Sequence, residues 1–152
     1  YADSDEHTVA GHITESADVR RSMVEKRLRK LDGMRKEMAG PKIFPGPDAE
    51  SYLVCWGSTL GAVEETVQAL RAEGANWGYI HFSELYPLPE DPMPREIAER
   101  ARLIAVENNA TGQFCQLLRM ETGLAIAEKI LKYDGRPFTP DELKARLGSA
   151  KG

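Results

Sequence analysis

Three short apolar runs separated by helix-length segments constrain this chain more than any other feature. They are SYLVCWG (51–57), WGYIHFSEL (77–85) and LIAVEN (103–108). Each is the length of a strand, and each holds apolar residues at consecutive positions, as buried strands do. Between the first two lies a helix running from about Leu60 to Ala72. Its stripe of Leu60, Val63, Val67 and Leu70 recurs at steps of three and four, and Gly74 stops it. YPLPEDPMP (86–94) is too rich in proline for regular structure, and REIAERA (95–101) makes a short helix. After LIAVEN a helix is expected from Thr111 to about Thr122, then a strand within IAEKILKY (126–133), the turn DGRPF (134–138) and a last helix. That helix opens with Thr139 as cap, Pro140 in the first helical position and Glu142 near the capping-box position. Strands alternating with helices predict an α/β layer on a mainly parallel sheet.

The front of the chain differs in character. Its first 19 residues carry five acids (Asp3, Asp5, Glu6, Glu15, Asp18) and no Lys or Arg, and read as a linker. The set Glu6, His7 and His12 invites a metal, but its spacing matches no standard ligand pattern. Residues 20–38 then hold eight bases against three acids, with Val24, Leu28, Leu31, Met34 and Met38 as a helical stripe that Ser16 or Asp18 can cap. A basic helix suits nucleic acid, yet this one has no aromatic residue for stacking and the chain carries a net charge of −4. Docking of the stripe on a neighbouring domain is the better expectation, and the adjoining acidic and basic stretches can pair with each other. The predicted organisation is residues 1–50 as acidic linker, basic amphipathic helix and Pro/Gly connector, and 51–152 as the α/β domain.

At 152 residues, 41% hydrophobic and 29% charged, the composition is that of a soluble globular protein. No apolar run approaches the ~20 residues that span a bilayer, so no membrane partner is expected; two cysteines without metal or redox spacing fit a reducing, cytoplasmic compartment. The opening at Tyr1, in an acidic tract, reads as a piece of a longer polypeptide. The two cysteines, Cys55 and Cys115, sit in apolar runs and read as buried thiols. They are too few for a typical iron–sulfur cluster.

In open α/β sheets, ligands gather outside the carboxyl ends of the strands. Two turns qualify. In Trp56-Gly57-Ser58-Thr59-Leu60-Gly61, Gly57 and Gly61 let backbone approach a ligand, and Ser58 or Thr59 lies where a helix offers free N–H groups to an anion. The plainer alternative is a helix cap. In Glu107-Asn108-Asn109-Ala110-Thr111-Gly112-Gln113, the amides and the carboxylate exceed what one cap requires, and suit a polar ligand or a partner's backbone. Glu107 is an acid or base if desolvated, or the partner of a nearby base. Arg136 in the DGRPF turn can clamp a carboxylate or phosphate, or pair with Asp134 or Glu142. His81, alone on an apolar strand, reads as a structural histidine. No nucleophile with its base and no metal cluster emerges. A receiver-type signalling domain needs a carboxylate at a strand end plus an acidic pair, and SYLVCWGST supplies neither.

VENNATGQ, with GSTLG before it and KYDGRPFTP after it, resembles the alpha subunit of 2-oxoacid:ferredoxin oxidoreductases, most nearly the 2-oxoglutarate (2-oxoglutarate synthase) type. HFSELYPLP, DEHTVAGHITES and the MVEKRLRKL helix extend the resemblance over nearly the whole chain. The resemblance implies a three-layer α/β/α sandwich on a mostly parallel five-stranded sheet, like the C-terminal domain of transketolase. Only four strands are clear; a fifth lies near Ile43-Phe44 or in the proline-rich loop. It implies an enzyme that oxidatively decarboxylates a 2-oxoacid to its acyl-CoA using thiamine diphosphate, Mg2+, an iron–sulfur cluster and coenzyme A. Its implied partners are the remaining domains of the alpha subunit, a beta subunit carrying thiamine diphosphate, and ferredoxin. This chain lacks the G-D-G…N-N motif for magnesium and diphosphate. It is therefore expected to bind no cofactor alone and to act as an assembly and active-site-rim element. A free-standing small-ligand, flavin or nucleotide module, with GSTLG holding phosphate, is the alternative.

Overall fold

The computed structural model describes residues 5–149. Tyr1 and Asp3 lie outside them. The chain divides into two compact units between Met38 and Ala39.

In the first unit the acidic stretch is an ordered hairpin, not a solvated linker. His7 pairs with Ile13 across a turn in which Gly11 adopts φ 85°, and the Thr8 N–H donates to the His12 carbonyl at 2.8 Å. Helix α1 (Ala17–Glu37) follows, capped by Ser16, whose hydroxyl accepts the Val19 N–H. Glu6, 8% exposed, accepts from Arg27 at 2.7 and 3.2 Å and from Arg20 at 3.3 Å. The acidic and basic stretches thus pair, and the carboxylate that suggested a metal is spent on guanidinium groups. Leu28 and Met34 of α1 are 57% and 47% exposed.

The second unit is a five-stranded sheet in the order β1-β3-β2-β4-β5. Its strands are β1 (Lys42–Phe44), β2 (Ser51–Trp56), β3 (Trp77–Phe82), β4 (Arg102–Glu107) and β5 (Glu128–Leu131). Four strands run parallel, and β1 pairs antiparallel with β3 at the edge. The fifth strand therefore lies at Ile43-Phe44, inside the stretch assigned to a connector, and the proline-rich loop carries none among the described residues. Gly78 permits this edge, since a Cβ there would meet the Phe44 carbonyl at 2.4 Å and the Tyr52 ring at 2.6 Å.

Successive residues of the central strands point to opposite faces. Tyr52, Val54, Ile80, Phe82 and Ala105 pack with α3 (Arg95–Arg100) and α4 (Gln113–Thr122) through Ile97, Phe114 and Leu118. Leu53, Cys55, Tyr79, Ile104 and Val106 pack with α2 (Leu60–Ala72) and α5 (Pro140–Ser149) through Val63, Val67, Leu143 and Leu147. Both faces are covered, which explains the unbroken apolar runs and makes the unit a three-layer α/β/α sandwich. Each fully buried Leu, Ile or Val contributes about 1.5–3 kcal/mol against exposure. Among the described residues no helix is long and apolar enough to cross a membrane.

Candidate functional site

The dense polar turn after β4 is built inward. Glu107 ends the strand 1% exposed. Its carboxylate accepts from Asn109 Nδ2 at 2.8 Å, the Phe114 N–H at 2.9 Å, the Cys115 N–H at 3.0 Å and Trp56 Nε1 at 3.3 Å. Burial pushes this carboxyl up, but the bonds from Asn109, Phe114 and Cys115 outweigh it and hold Glu107 below the ordinary value. Asn109 Oδ1 accepts three more N–H groups, those of Thr111, Gly112 and Gln113, at 3.2, 2.7 and 3.1 Å. A helix start leaves about four N–H groups without partners. Here two side chains serve the start of α4, which explains the excess of polar residues over a single cap. It also moves that start from Thr111 to Gln113, because Gly112, at φ 68°, still belongs to the turn. Thr111, Gly112 and Gln113 contribute backbone N–H groups, and the Glu107 carboxylate is held by four donors.

The turn after β2 is open by contrast. Gly57, at φ 55°, begins a short 3-10 turn (Gly57–Thr59) that runs into α2, and no side chain caps either helix. The Thr59 hydroxyl donates back to the Trp56 carbonyl at 2.7 Å. His81 Nε2 lies 3.1 Å from the Gly57 carbonyl; a carbonyl only accepts, so that nitrogen carries the proton and His81 is a satisfied structural group.

Ser58, Thr59, Asn108 and Arg136 come together in one cleft of about 570 Å³. It lies where the ends of β2, β4 and β5 meet. After β2 the chain moves to one side of that strand to form β3, then crosses to the other side to form β4. The cleft therefore occupies the topological switch point, where open α/β sheets bind ligands. Asn108 Nδ2 donates to the Arg136 carbonyl at 3.2 Å and ties the two loops. Gly57, Glu107, Asn109, Thr111, Gly112 and Gln113 do not line it.

The cleft also holds residues that the sequence pattern did not single out. Lys132 and Phe138 stand in its wall, and Tyr133, 74% exposed, stands at its rim. Lys132 binds Glu142 at 2.5 Å with Asp134 at 3.9 Å. The Lys132 ammonium outweighs burial and holds the Glu142 carboxyl below its ordinary value. Asp134 and Glu142, the expected partners of Arg136, are turned elsewhere: Asp134 Oδ1 accepts the Arg136 backbone N–H at 3.0 Å, and Glu142 takes Lys132 and Arg146.

The thiols of Cys55 and Cys115 are both buried, and burial first of all pushes each up to about 12. Among the described residues no group of three or more His, Cys, Asp and Glu is placed to hold a metal ion.

The family model for pyruvate:ferredoxin oxidoreductase core domain II matches residues 49–143. The 2-oxoacid:ferredoxin oxidoreductase subunit alpha of Saccharolobus solfataricus is 32% identical over 143 residues, which are 92% of this chain and 23% of the relative. Among solved structures, the 2-oxoglutarate:ferredoxin oxidoreductase from Magnetococcus marinus, with 2-oxoglutarate, coenzyme A and succinyl-CoA bound, superposes with a TM-score of 0.76 at 27% identity. That match covers 98% of this chain and 26% of the other. Transketolase from Pichia stipitis shares the fold, with a TM-score of 0.52 at 12% identity over 72% of this chain and 18% of its own. The chain spans about a quarter of the length of the curated relatives it matches.

Proposed function

From the premise that this chain belongs to the pyruvate:ferredoxin oxidoreductase core domain II family, we infer that it serves as the C-terminal part of the alpha subunit of a 2-oxoacid:ferredoxin oxidoreductase. The carrying observation is the match to the Magnetococcus marinus enzyme, which runs over 98% of this chain yet 26% of that one. The substrate proposed for the whole enzyme is 2-oxoglutarate. Its reaction joins the acyl carbon to the sulfur of coenzyme A, releases carbon dioxide and a proton, and passes the freed electron pair through an iron–sulfur cluster to ferredoxin. Thiamine diphosphate with Mg2+ supplies the carbanion chemistry when bound. The residues described here offer no ligand set for an iron–sulfur cluster or Mg2+: the cysteines are buried, and the one strongly buried carboxylate of the sheet unit, Glu107, is committed to a helix start. No chemical step is assigned to this chain.

Its role is assembly and the shaping of a site built elsewhere. The proposed partners are the remaining domains of the alpha subunit and the beta subunit. The exposed Leu28 and Met34 of α1 support docking within the subunit, since outward apolar side chains on a helix gain when covered. The proposed division of labour keeps residues 1–50 as the docking arm, with β1 lent to the sheet of the 51–152 domain.

The test is co-expression of the tagged chain with the remaining alpha-subunit residues and the beta subunit, followed by size exclusion. Co-elution and 2-oxoglutarate- and CoA-dependent viologen reduction are expected. Full turnover by the other parts alone would sink the assembly role.

A further inference from the structure

We propose that the C-terminal half of α1 is a docking face for an acidic segment with apolar side chains, supplied by the remainder of the alpha subunit. This rests on the assembly role and adds the chemistry of the surface that α1 meets. Among described residues 5–38, one apolar side chain, Met23, and one carboxylate, Glu6, are buried. A two-stranded hairpin and a lone helix of 21 residues are each marginal in water without packing. Yet Val9, Ile13, Leu28 and Met34 of this unit are all more than 45% exposed. The unit therefore has apolar surface to cover and little of its own to cover it with.

The hairpin shows what α1 accepts. Glu6 meets Arg20 and Arg27, which share one face of the helix at a spacing of seven residues. That face continues past the Glu6 contact, where Leu28, Leu31 and Arg35 follow at steps of three and four. Arg35 is exposed and makes no ion pair among the described residues. The helix's own acids, Glu25, Asp32 and Glu37, fall off this stripe. The second half of α1 thus offers a guanidinium among apolar side chains and no carboxylate to meet it, so the complementary surface is acidic with an apolar centre. A second copy of the same face is the wrong occupant, since it would set Arg35 against Arg35 or Arg27. Nucleic acid and anionic lipid suit the face less: it holds no aromatic side chain, and the chain's net charge is −4.

The experiment measures binding of the tagged whole chain to the remaining alpha-subunit residues, co-purified with the beta subunit, at about 50 and 300 mM KCl. The parent is expected to bind more weakly at the higher salt, chiefly through a slower on-rate. Arg35→Glu and Leu28→Ser are each expected to weaken binding about 10-fold or more, and Arg35→Lys to retain most of it. Arg29→Gln, on the opposite side of α1, is expected to bind as the parent does. Hydrogen exchange on the parent needs no variant, and the amides of residues 28–36 are expected to slow on binding. Parental affinity in both Arg35→Glu and Leu28→Ser, or unchanged exchange over 28–36, overturns the docking face and leaves the assembly role standing. Absence of binding by the parent at either salt defeats the assembly role, and this face with it. Binding to phosphatidylserine vesicles or to a single-stranded oligonucleotide that both variants lose, with subunit binding intact, overturns it in favour of a membrane or a nucleic acid.

Discussion

Replacing Glu107 tests the reasoning about the polar turn most directly. Four donors converge on its carboxylate. Truncation to alanine strands the Phe114 and Cys115 N–H groups, both buried, at about 1–3 kcal/mol each. The Trp56 indole and the Asn109 amide are partly exposed and turn to water at small cost. Relief of the buried charge offsets some of the loss, so Glu107→Ala is expected to cost about 3–4 kcal/mol. Glu107→Gln keeps one acceptor oxygen but sets an NH2 against an N–H donor, for about 2 kcal/mol. Both changes are large against a domain stability of about 5–15 kcal/mol. Urea unfolding followed by tryptophan fluorescence reads them, since both tryptophans, Trp56 and Trp77, lie in the sheet unit. The carboxyl is held below its ordinary value in the folded chain. Its stabilisation is therefore complete above the unfolded value of about 4.3 and is lost as pH falls through the folded one. Stability of the parent falls with acid over that window, and Glu107→Gln removes this residue's share of the slope. Losses under about 1 kcal/mol for both variants, or an unchanged acid slope in the Gln variant, would refute the account of Glu107 as the anchor of α4.

Other outcomes follow from the same structure. Gly78→Ala sets a Cβ against the Phe44 carbonyl and the Tyr52 ring, whose hydroxyl is bonded to Gly46 and Ala49, so it is expected to cost about 2–3 kcal/mol in the same urea assay. A cost near zero would mean that β1 is free to move away. The Glu6 carboxyl is held at about 2, first by the hydrogen bond from Arg27 and then by the His7 N–H. The lock between hairpin and α1 is thus whole above the ordinary carboxylate range and lost as pH falls toward about 2. A carbon-detected titration showing a Glu6 midpoint near 4 contradicts it. Cys55 and Cys115, pushed up to about 12, are expected to resist Ellman's reagent at pH 8 in the native chain and to react in urea; fast native reaction of either shows its pocket to be open.

Much of the fold is legible in the sequence because the central strands are covered on both faces. Unbroken apolar runs and a 3.6-residue stripe place β2, α2 and β4 within a residue and find the start of β3, whose expected end at Leu85 overruns Phe82 by three residues once the apolar alternation stops. Strand β1 is three residues between prolines, and its place rests on the space left at Gly78, a tertiary fact without local pattern. The hairpin before α1 hides for a similar reason. Its order comes from Glu6 meeting Arg27 across 21 positions, whereas composition registers only an acidic tract.

The two turns show why residue type alone misleads about a site. ENNATGQ draws the eye because it concentrates groups that bond ligands. Yet a helix start is itself a set of donors seeking acceptors, and Glu107 and Asn109 answer that demand from within. The segment richest in polar side chains therefore spends Glu107 and Asn109 on its own helix start, while Asn108, Thr111 and Gln113 stay exposed. GST offers few side chains, but no side chain among the described residues caps the helix behind it, and the order β2-β4-β5 brings Asn108 and Arg136 alongside. What a turn presents to a ligand is its donors minus those consumed by its own backbone. That difference is set by where Glu107 is buried and by which strands are neighbours, and neither is written in any local run of residues.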